Sequence, residues 1–120
     1  MPHIKLEHTE KVDPGLITPV FKKLKVILME TAGIKENNCK CKAIRIPVYS
    51  VGRNNTSGHF FHLEVCLLKG RSADVREEIG QKSIQVLQEY FVDNNAQNIK
   101  QFSVEIREIH PNDYFTSNTL

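Results

Sequence analysis

One stretch of the chain, residues 59–90, decides the fold, and it reads HFFHLEVCLLKGRSADVREEIGQKSIQVLQEY. Apolar residues occupy every second position from Phe61 to Leu67, which is the pattern of a strand with one buried face. Ser72 then offers a side-chain cap for a helix. The apolar residues of that helix recur at helical spacing, and they are Val75, Ile79, Val86, Leu87 and Tyr90. The stretch therefore predicts a strand over about residues 59–68 and an amphipathic helix after it.

The first half of the chain predicts the same order of elements. Residues 2–8 alternate apolar and charged side chains, which is typical of a half-buried strand. Asp13 followed by Pro14 is a helix start, because aspartate caps a helix and proline suits its first position. Apolar residues at steps of three and four extend this helix to about Thr31, and Gly33 ends it.

One further strand completes each half. Residues 44–48 read IRIPV and predict the second strand, in which Pro47 indicates an edge or a bulge. Near the other end of the chain, Phe102, Val104 and Ile106 alternate with polar residues and predict the last strand.

The two halves align as copies of one β-α-β unit. When the two halves are aligned in sequence, Leu6 matches Leu63 and Ile44 matches Phe102. A run of turn residues, 52–58, lies between the halves. We predict a single domain over residues 1–120, with units at about 2–50 and 59–109 and a C-terminal tail at 110–120.

A strand, helix and second strand in one sheet prefer a right-handed crossover with parallel pairing. The predicted fold class is therefore α+β, a four-stranded sheet with two helices on one face. The other face has no covering layer, and we expect its apolar positions to be covered by further copies of the chain. This predicts a homo-oligomer.

Composition excludes several classes of function. The chain has 120 residues, 40% hydrophobic and 25% charged, with a formal net charge of +2, which is ordinary for a folded globular protein. Its basic residues are dispersed, so we expect no nucleic-acid partner. We also expect no membrane association and a cytoplasmic location, because the apolar runs are short and the start lacks a signal peptide.

The three cysteines do not predict a metal site. Cys39 and Cys41 are separated by one residue, whereas paired zinc-binding cysteines normally have two to four residues between them. We interpret these two and Cys66 as reduced thiols and expect no metal.

Three segments together resemble one protein family. They are Met1-Pro2-His3-Ile4, the segment His62 to Ser72 with Gly70-Arg71-Ser72, and the tail from Phe102 to His110-Pro111 that continues to Asn118. This ordering resembles the 5-carboxymethyl-2-hydroxymuconate delta-isomerase family of the tautomerase superfamily. The resemblance implies a fold of two β-α-β units, a homotrimer, an isomerase of aromatic-compound catabolism and catalysis by an N-terminal proline without a cofactor.

Pro2 is the candidate catalytic residue. Removal of Met1 would turn its nitrogen from an amide into a free secondary amine. An α-amino group ordinarily has a pKa near 8, and an apolar pocket with cationic neighbours lowers that value. Pro2 would then be a neutral general base at physiological pH.

Arg71, Lys40 and Lys42 are the candidate substrate-binding residues. Arg71 precedes the predicted start of the second helix, where a guanidinium and free backbone amides both favour anions. The resemblance implies that this arginine binds a substrate carboxylate. Arginine suits that role because its guanidinium can form two parallel hydrogen bonds to a carboxylate. The family has an arginine near the start of the second strand, where this chain has lysines. Either Lys40 or Lys42 is the candidate replacement.

Other residues receive weaker interpretations. Phe60, Phe61 and Tyr49 either form an apolar wall for the pocket or pack in the core and between subunits. His59 and His62 are given no role.

The preferred function is an isomerase that moves a proton along a conjugated, carboxylated 2-hydroxy or 2-oxo acid. The partner would be a small anionic substrate. Two alternatives remain: a hydrolytic or decarboxylating relative, and a non-enzymatic binding module of the same fold.

Overall fold

The computed structural model describes residues 1–52, 58–92 and 99–118. In chain order the elements are β1 (His3–His8), α1 (Pro14–Ala32), β2 (Lys40–Arg45), β3 (Gly58–Leu68), α2 (Ala73–Phe91) and β4 (Ile99–Ile109). Short 3-10 turns occupy Glu36–Asn38 and Pro111–Asp113. Most of the predicted turn between the two halves, residues 53–57, lies outside the described residues.

Both helices begin where the sequence predicts. The Asp13 side chain accepts a hydrogen bond from the Gly15 N–H at 2.9 Å, and Ser72 Oγ accepts one from the Val75 N–H at 3.2 Å. These bonds satisfy backbone donors that have no partner in the first helical turn. Gly33 ends α1 in the left-handed conformation, with φ of 65°. No helix in the described parts of the chain is long and apolar enough to cross a membrane.

The sheet has the strand order β2-β1-β3-β4. β1 pairs in parallel with β2, β3 pairs in parallel with β4, and the two central strands β1 and β3 are antiparallel. Each half thus contributes a parallel strand pair connected by a helix, and both helices pack on one face. The predicted α+β fold class is confirmed.

The second strand lies earlier in the chain than predicted. β2 covers Lys40–Arg45 instead of residues 44–48. Its last backbone bond to β1 is the Ile46 N–H to the His8 carbonyl at 2.8 Å, and Pro47 has no N–H to continue the ladder. The alignment of Ile44 with Phe102 is also wrong, because the register places Ala43 beside Leu6 and Val104 beside Leu63.

A single apolar cluster fills the space between the sheet and the helices. The strands contribute alternating residues whose side chains are almost fully buried, among them Ile4, Leu6, Leu63 and Val65. The helices contribute the residues that face them, including Val20, Leu24, Leu28, Ile79 and Leu87. Phe61 stacks on Phe91 at a ring-centroid distance of 4.6 Å, which joins β3 to the end of α2.

The sheet face away from the helices, the charged face, carries a row of charged side chains together with the apolar positions expected there. One cross-strand row on this face carries Lys42, Lys5, Glu64 and Glu105 in that order across the four strands. Most alternating apolar residues of the strands face the helices, but Ile44, Phe60, Leu68 and Ile109 lie on the same face as the charged row. Arg107 lies between the two glutamates, 3.5 Å from Glu64 and 3.0 Å from Glu105. The hydrogen bond from Arg107 is the main cause that lowers the pKa of Glu105.

Leu6→Ala should lower the free energy of unfolding by about 2–5 kcal/mol, because Leu6 is fully buried and the change leaves a cavity at the sheet centre. Urea denaturation followed by circular dichroism measures this loss. Leu16→Ala is the control, since Leu16 on α1 is 43% exposed and its truncation should cost much less. Equal losses for the two variants would contradict the assigned core.

Candidate active site

Four segments meet at one end of the sheet, which we call the Pro2 end. The parallel strands β1 and β2 both begin there, since His3 pairs with Lys40. β3 and β4 both end there, since His3 also pairs with Cys66, and the Lys69 N–H donates to the Ile109 carbonyl at 2.8 Å. The strand directions therefore bring Pro2, Lys40 and the Gly70-Arg71-Ser72 loop to the same end of the sheet.

Pro2 is buried at the start of β1, and its carbonyl accepts a hydrogen bond from the Lys40 N–H at 3.1 Å. Met1 precedes it, so the terminal amine in this structure is that of Met1. Burial lowers the pKa of this amine, and the positive charge of Lys40 lowers it further, while Cys39 acts in the opposite direction. The Pro2 end thus favours the neutral form of a terminal amine.

Lys40 lies closer to the terminus than Lys42. Lys40 is the register partner of His3, whereas Lys42 is the partner of Lys5, two residues further along. Both lysines are exposed on the face away from the helices. The Lys40 ammonium donates to the Asn38 carbonyl at 3.3 Å, which orients its side chain toward the start of β2.

Arg71 lies in the loop between β3 and α2. Gly70 has a φ of 139°, a conformation that L side chains rarely adopt, so the loop requires glycine before Arg71. The Arg71 guanidinium donates to the Leu68 carbonyl at 3.2 Å. Continuing the β1–β3 register places Leu68 beside Met1, so this contact holds the guanidinium near the chain start. Within the described residues no carboxylate forms an ion pair with Arg71. Its remaining donors can serve an external anion.

Tyr114 joins this end of the sheet, although the sequence assigned it no role. Its hydroxyl lies 3.1 Å from His3 Nε2, and the two rings meet edge to face. The tail after β4 therefore crosses the end of β3 to reach β1. Burial lowers the pKa of His3, with smaller lowering contributions from Lys40, the terminal amine and Lys42. Nothing in the sequence signalled this contact, although Tyr114 lies in the tail segment that carries the family resemblance.

The aromatic residues and histidines singled out from sequence lie elsewhere. His59 Nδ1 is 2.9 Å from Thr9 Oγ1 and 3.4 Å from the Tyr49 hydroxyl, at the opposite end of the sheet. Phe60 lies beside Tyr49 there, and Phe61 belongs to the core. Phe61 alone of the three is in the core, Phe60 lies on the charged face, and none of them forms a wall at the Pro2 end of this chain.

His62 belongs to a polar group on the charged face. Its Nδ1 lies 2.6 Å from Ser103 Oγ, and its Nε2 lies 3.4 Å from Glu105 Oε1. Its register partner on β1 is Glu7, so it is displaced along the strand from Pro2. The structure does not bring His62 to the candidate site.

The cysteines are free thiols, and Cys39 and Cys41 pack partly against the core. Burial is the first cause that raises the pKa of each thiol. Among the residues that the structure describes, no group of three or more histidine, cysteine, aspartate or glutamate side chains could hold a metal ion.

Solved structures share this architecture. A 5-carboxymethyl-2-hydroxymuconate isomerase from Deinococcus radiodurans R1 is 28% identical, with a TM-score of 0.85 over 98% of this chain and 90% of that chain. A 5-carboxymethyl-2-hydroxymuconate delta-isomerase is 14% identical, with a TM-score of 0.74 over 98% and 88%. A macrophage migration inhibitory factor-like protein from Entamoeba histolytica is 12% identical, with a TM-score of 0.73 over 97% and 95%. A comparison with curated proteins finds no match.

The fold and these similarities define a protein of the tautomerase superfamily. The chain also matches the sequence model of 5-carboxymethyl-2-hydroxymuconate isomerase over residues 2–120. It belongs to this family of isomerases.

The His3 imidazole should titrate below its ordinary pKa of about 6.5, because burial and nearby cations disfavour the imidazolium. Lys40→Met should raise the pKa of His3, and Lys42→Met should raise it less, because Lys40 contributes more. NMR titration of the ring protons measures these shifts. A larger shift from Lys42→Met would contradict the placement of Lys40 beside the terminus.

Proposed function

We propose that this chain isomerises a conjugated, carboxylated 2-hydroxy or 2-oxo acid such as 5-carboxymethyl-2-hydroxymuconate, with the Pro2 nitrogen as general base. The observation that carries the proposal is the buried start of β1 beside Lys40, where a terminal amine has a lowered pKa. Family membership and the D. radiodurans isomerase support the reaction class.

The base requires removal of Met1. The Pro2 nitrogen is then a secondary amine in surroundings close to those of the present terminal amine. It takes a proton from one carbon of the bound acid, which leaves a dienolate, and returns that proton to a carbon further along the conjugated system. The reaction is balanced by one proton that leaves and returns, so it requires no cofactor.

Arg71 and Lys40 are proposed to bind the substrate anion. Arg71 would hold a carboxylate through its free guanidinium donors, beside the backbone amides at the start of α2. Lys40 would add a second positive charge on the other side of Pro2 and stabilise the dienolate. Lys42 is further from Pro2, so it contributes mainly to the local field.

Mature active protein should begin at Pro2, and its kcat/KM should rise with pH through the lowered pKa of the Pro2 amine, because only the neutral amine is a base. Intact mass and a pH–rate profile on a panel of muconates and enolisable keto acids measure this. Lys40→Met should move the acid limb to higher pH, since it removes a charge that lowers the pKa, and Lys42→Met should move it less. Full activity with Met1 retained would contradict the proline base.

Arg71→Ala should raise KM about 10- to 100-fold with a smaller loss of kcat, because it removes charge-assisted hydrogen bonds made in ground and transition states alike. Steady-state kinetics on 5-carboxymethyl-2-hydroxymuconate measures the split. Pro2→Ala should show the reverse pattern, with a lower kcat and little change in KM. Unchanged KM in Arg71→Ala would remove Arg71 from the site.

We propose further that the protein is a homotrimer whose subunits meet along the charged sheet face. A fused 4-OT described as a symmetric trimer shares the fold at 12% identity and a TM-score of 0.76, and the sheet face is uncovered in one chain. Lys42, at the β2 edge of the row, has Lys5 as its cross-strand neighbour of like charge, whereas Lys5 also lies beside Glu64. The glutamates Glu64 and Glu105 on the other half of the face are of the opposite sign. A ring of copies brings the β2 edge of one sheet beside the β4 edge of the next, so lysines approach glutamates.

Sedimentation should show a trimer at low salt and dissociation at high salt. Raising the salt from about 0.01 M to about 1 M shortens the screening length from roughly 30 Å to roughly 3 Å, which weakens exposed ionic contacts. Lys42→Glu should weaken the trimer, whereas Lys82→Glu on α2 should leave it intact. A trimer unaffected by salt would contradict the ionic interface, and a monomer under all conditions would contradict the trimer.

A further inference from the structure

Arg76 connects the candidate substrate arginine to the sheet. It lies in the first turn of α2, and its Nη1 donates to Glu108 Oε1 at 2.7 Å and to the Arg71 carbonyl at 3.4 Å. The Arg76 N–H also donates to the Ser72 carbonyl at 3.1 Å. Arg76 therefore has contacts on β4 and on both loop residues that precede the helix.

The Arg76–Glu108 pair is better shielded than the other helix ion pairs. Its side chains are 33% and 27% exposed, against 44% and 49% for Lys82 and Glu78 on the same helix. Its N–O distance of 2.7 Å is that of a charge-assisted hydrogen bond. Solvent and salt weaken such a pair less than an exposed one.

Glu108 gives this pair a firm anchor. It lies on β4 as the register partner of Leu67, one residue before the end of β3. The sheet at that point is fixed by backbone bonds on β3, including the Lys69 N–H to the Ile109 carbonyl. The direction of the Arg71 backbone is thus set by a chain of contacts that runs from Glu108 through Arg76.

We propose that Arg76 is a positioning residue for Arg71, with Glu108 as its anchor. The proposal rests on the proposed role of Arg71 in binding a substrate carboxylate. Arg76 does not bind the substrate. It donates a hydrogen bond to the Arg71 carbonyl and so fixes the loop backbone, which directs the Arg71 guanidinium toward Pro2.

The experiment is a double-mutant cycle with 5-carboxymethyl-2-hydroxymuconate as the substrate. Arg76→Gln should raise KM about three- to tenfold with little change in kcat, because it frees the Arg71 loop. In an Arg71→Ala background the same change should have no further effect on KM, since the group that Arg76 positions is gone. If Arg76 only stabilised the fold, Arg76→Gln would have the same effect in the wild-type protein and in the Arg71→Ala variant.

Three further variants separate positioning from stability. Arg76→Glu combined with Glu108→Arg restores the ion pair but gives position 76 no donor for the Arg71 carbonyl, so Tm should recover while KM stays raised. Arg76→Lys keeps the cation and the fold if Arg76→Gln fails to fold. It should still raise KM, because the shorter lysine side chain does not carry its ammonium to the position of Nη1, from which both bonds are made. Lys82→Gln breaks an exposed ion pair on the same helix and should leave KM unchanged.

Each outcome decides the proposal. Non-additive KM effects of Arg71→Ala and Arg76→Gln support it. Additive effects, or an unchanged KM in both Arg76→Gln and Arg76→Lys, overturn it while leaving the role of Arg71 intact. An unchanged KM in Arg71→Ala overturns both this inference and the proposed binding role of Arg71.

Discussion

The antiparallel pairing of β1 with β3 is the interaction on which the rest of the structure depends. These strands are the two central ones, and each belongs to a different half of the chain. Their opposite directions make the start of the first half meet the end of the second half. Without that pairing, Pro2 and Arg71 would have no reason to lie at the same end of the sheet, since they are distant in sequence. The core residues Leu6 and Leu63 face each other across this pairing, so the interaction that assembles the fold also assembles the candidate site.

Positive charge at the Pro2 end favours two steps of the proposed chemistry at once. Lys40 disfavours protonation of a terminal amine, which keeps a base available, and the same charge attracts an anionic substrate. Arg71 adds a second cation whose donors are held near the chain start by the Leu68 carbonyl. The resemblance implies a family arginine near β2, where this chain has lysines, which keep the charge but present no planar fork. In the proposed mechanism, substrate orientation would therefore rely more heavily on Arg71 and on the contacts that fix its loop.

The two faces of the sheet serve different purposes. The helix side is apolar and accounts for folding, while the opposite side carries Lys5, Lys42, Glu64 and Glu105 in one row. Side chains alternate between the two faces of a strand, and the same opposite side also carries the apolar Ile44, Phe60, Leu68 and Ile109. Assembly of copies through this face would bury these apolar residues and bring charged rows together, so it would also depend on ionic strength.

The sequence by itself determined the fold class and the starts of both helices, and with the family resemblance it proposed Pro2 as the base. Caps such as Asp13 and Ser72 and the alternation of β3 are local signals, and local signals survive without tertiary context. The bounds of β2 could not be read from local signals. Cys41 and Ala43 are strand residues because they pair with β1 and pack against the core. The same is true of the charged face, the preference for Lys40 over Lys42 and the contacts of Tyr114 and Arg76. Each of these features depends on contacts between residues that are far apart in the chain. Only the tertiary structure decides which strands are neighbours and in which register they pair.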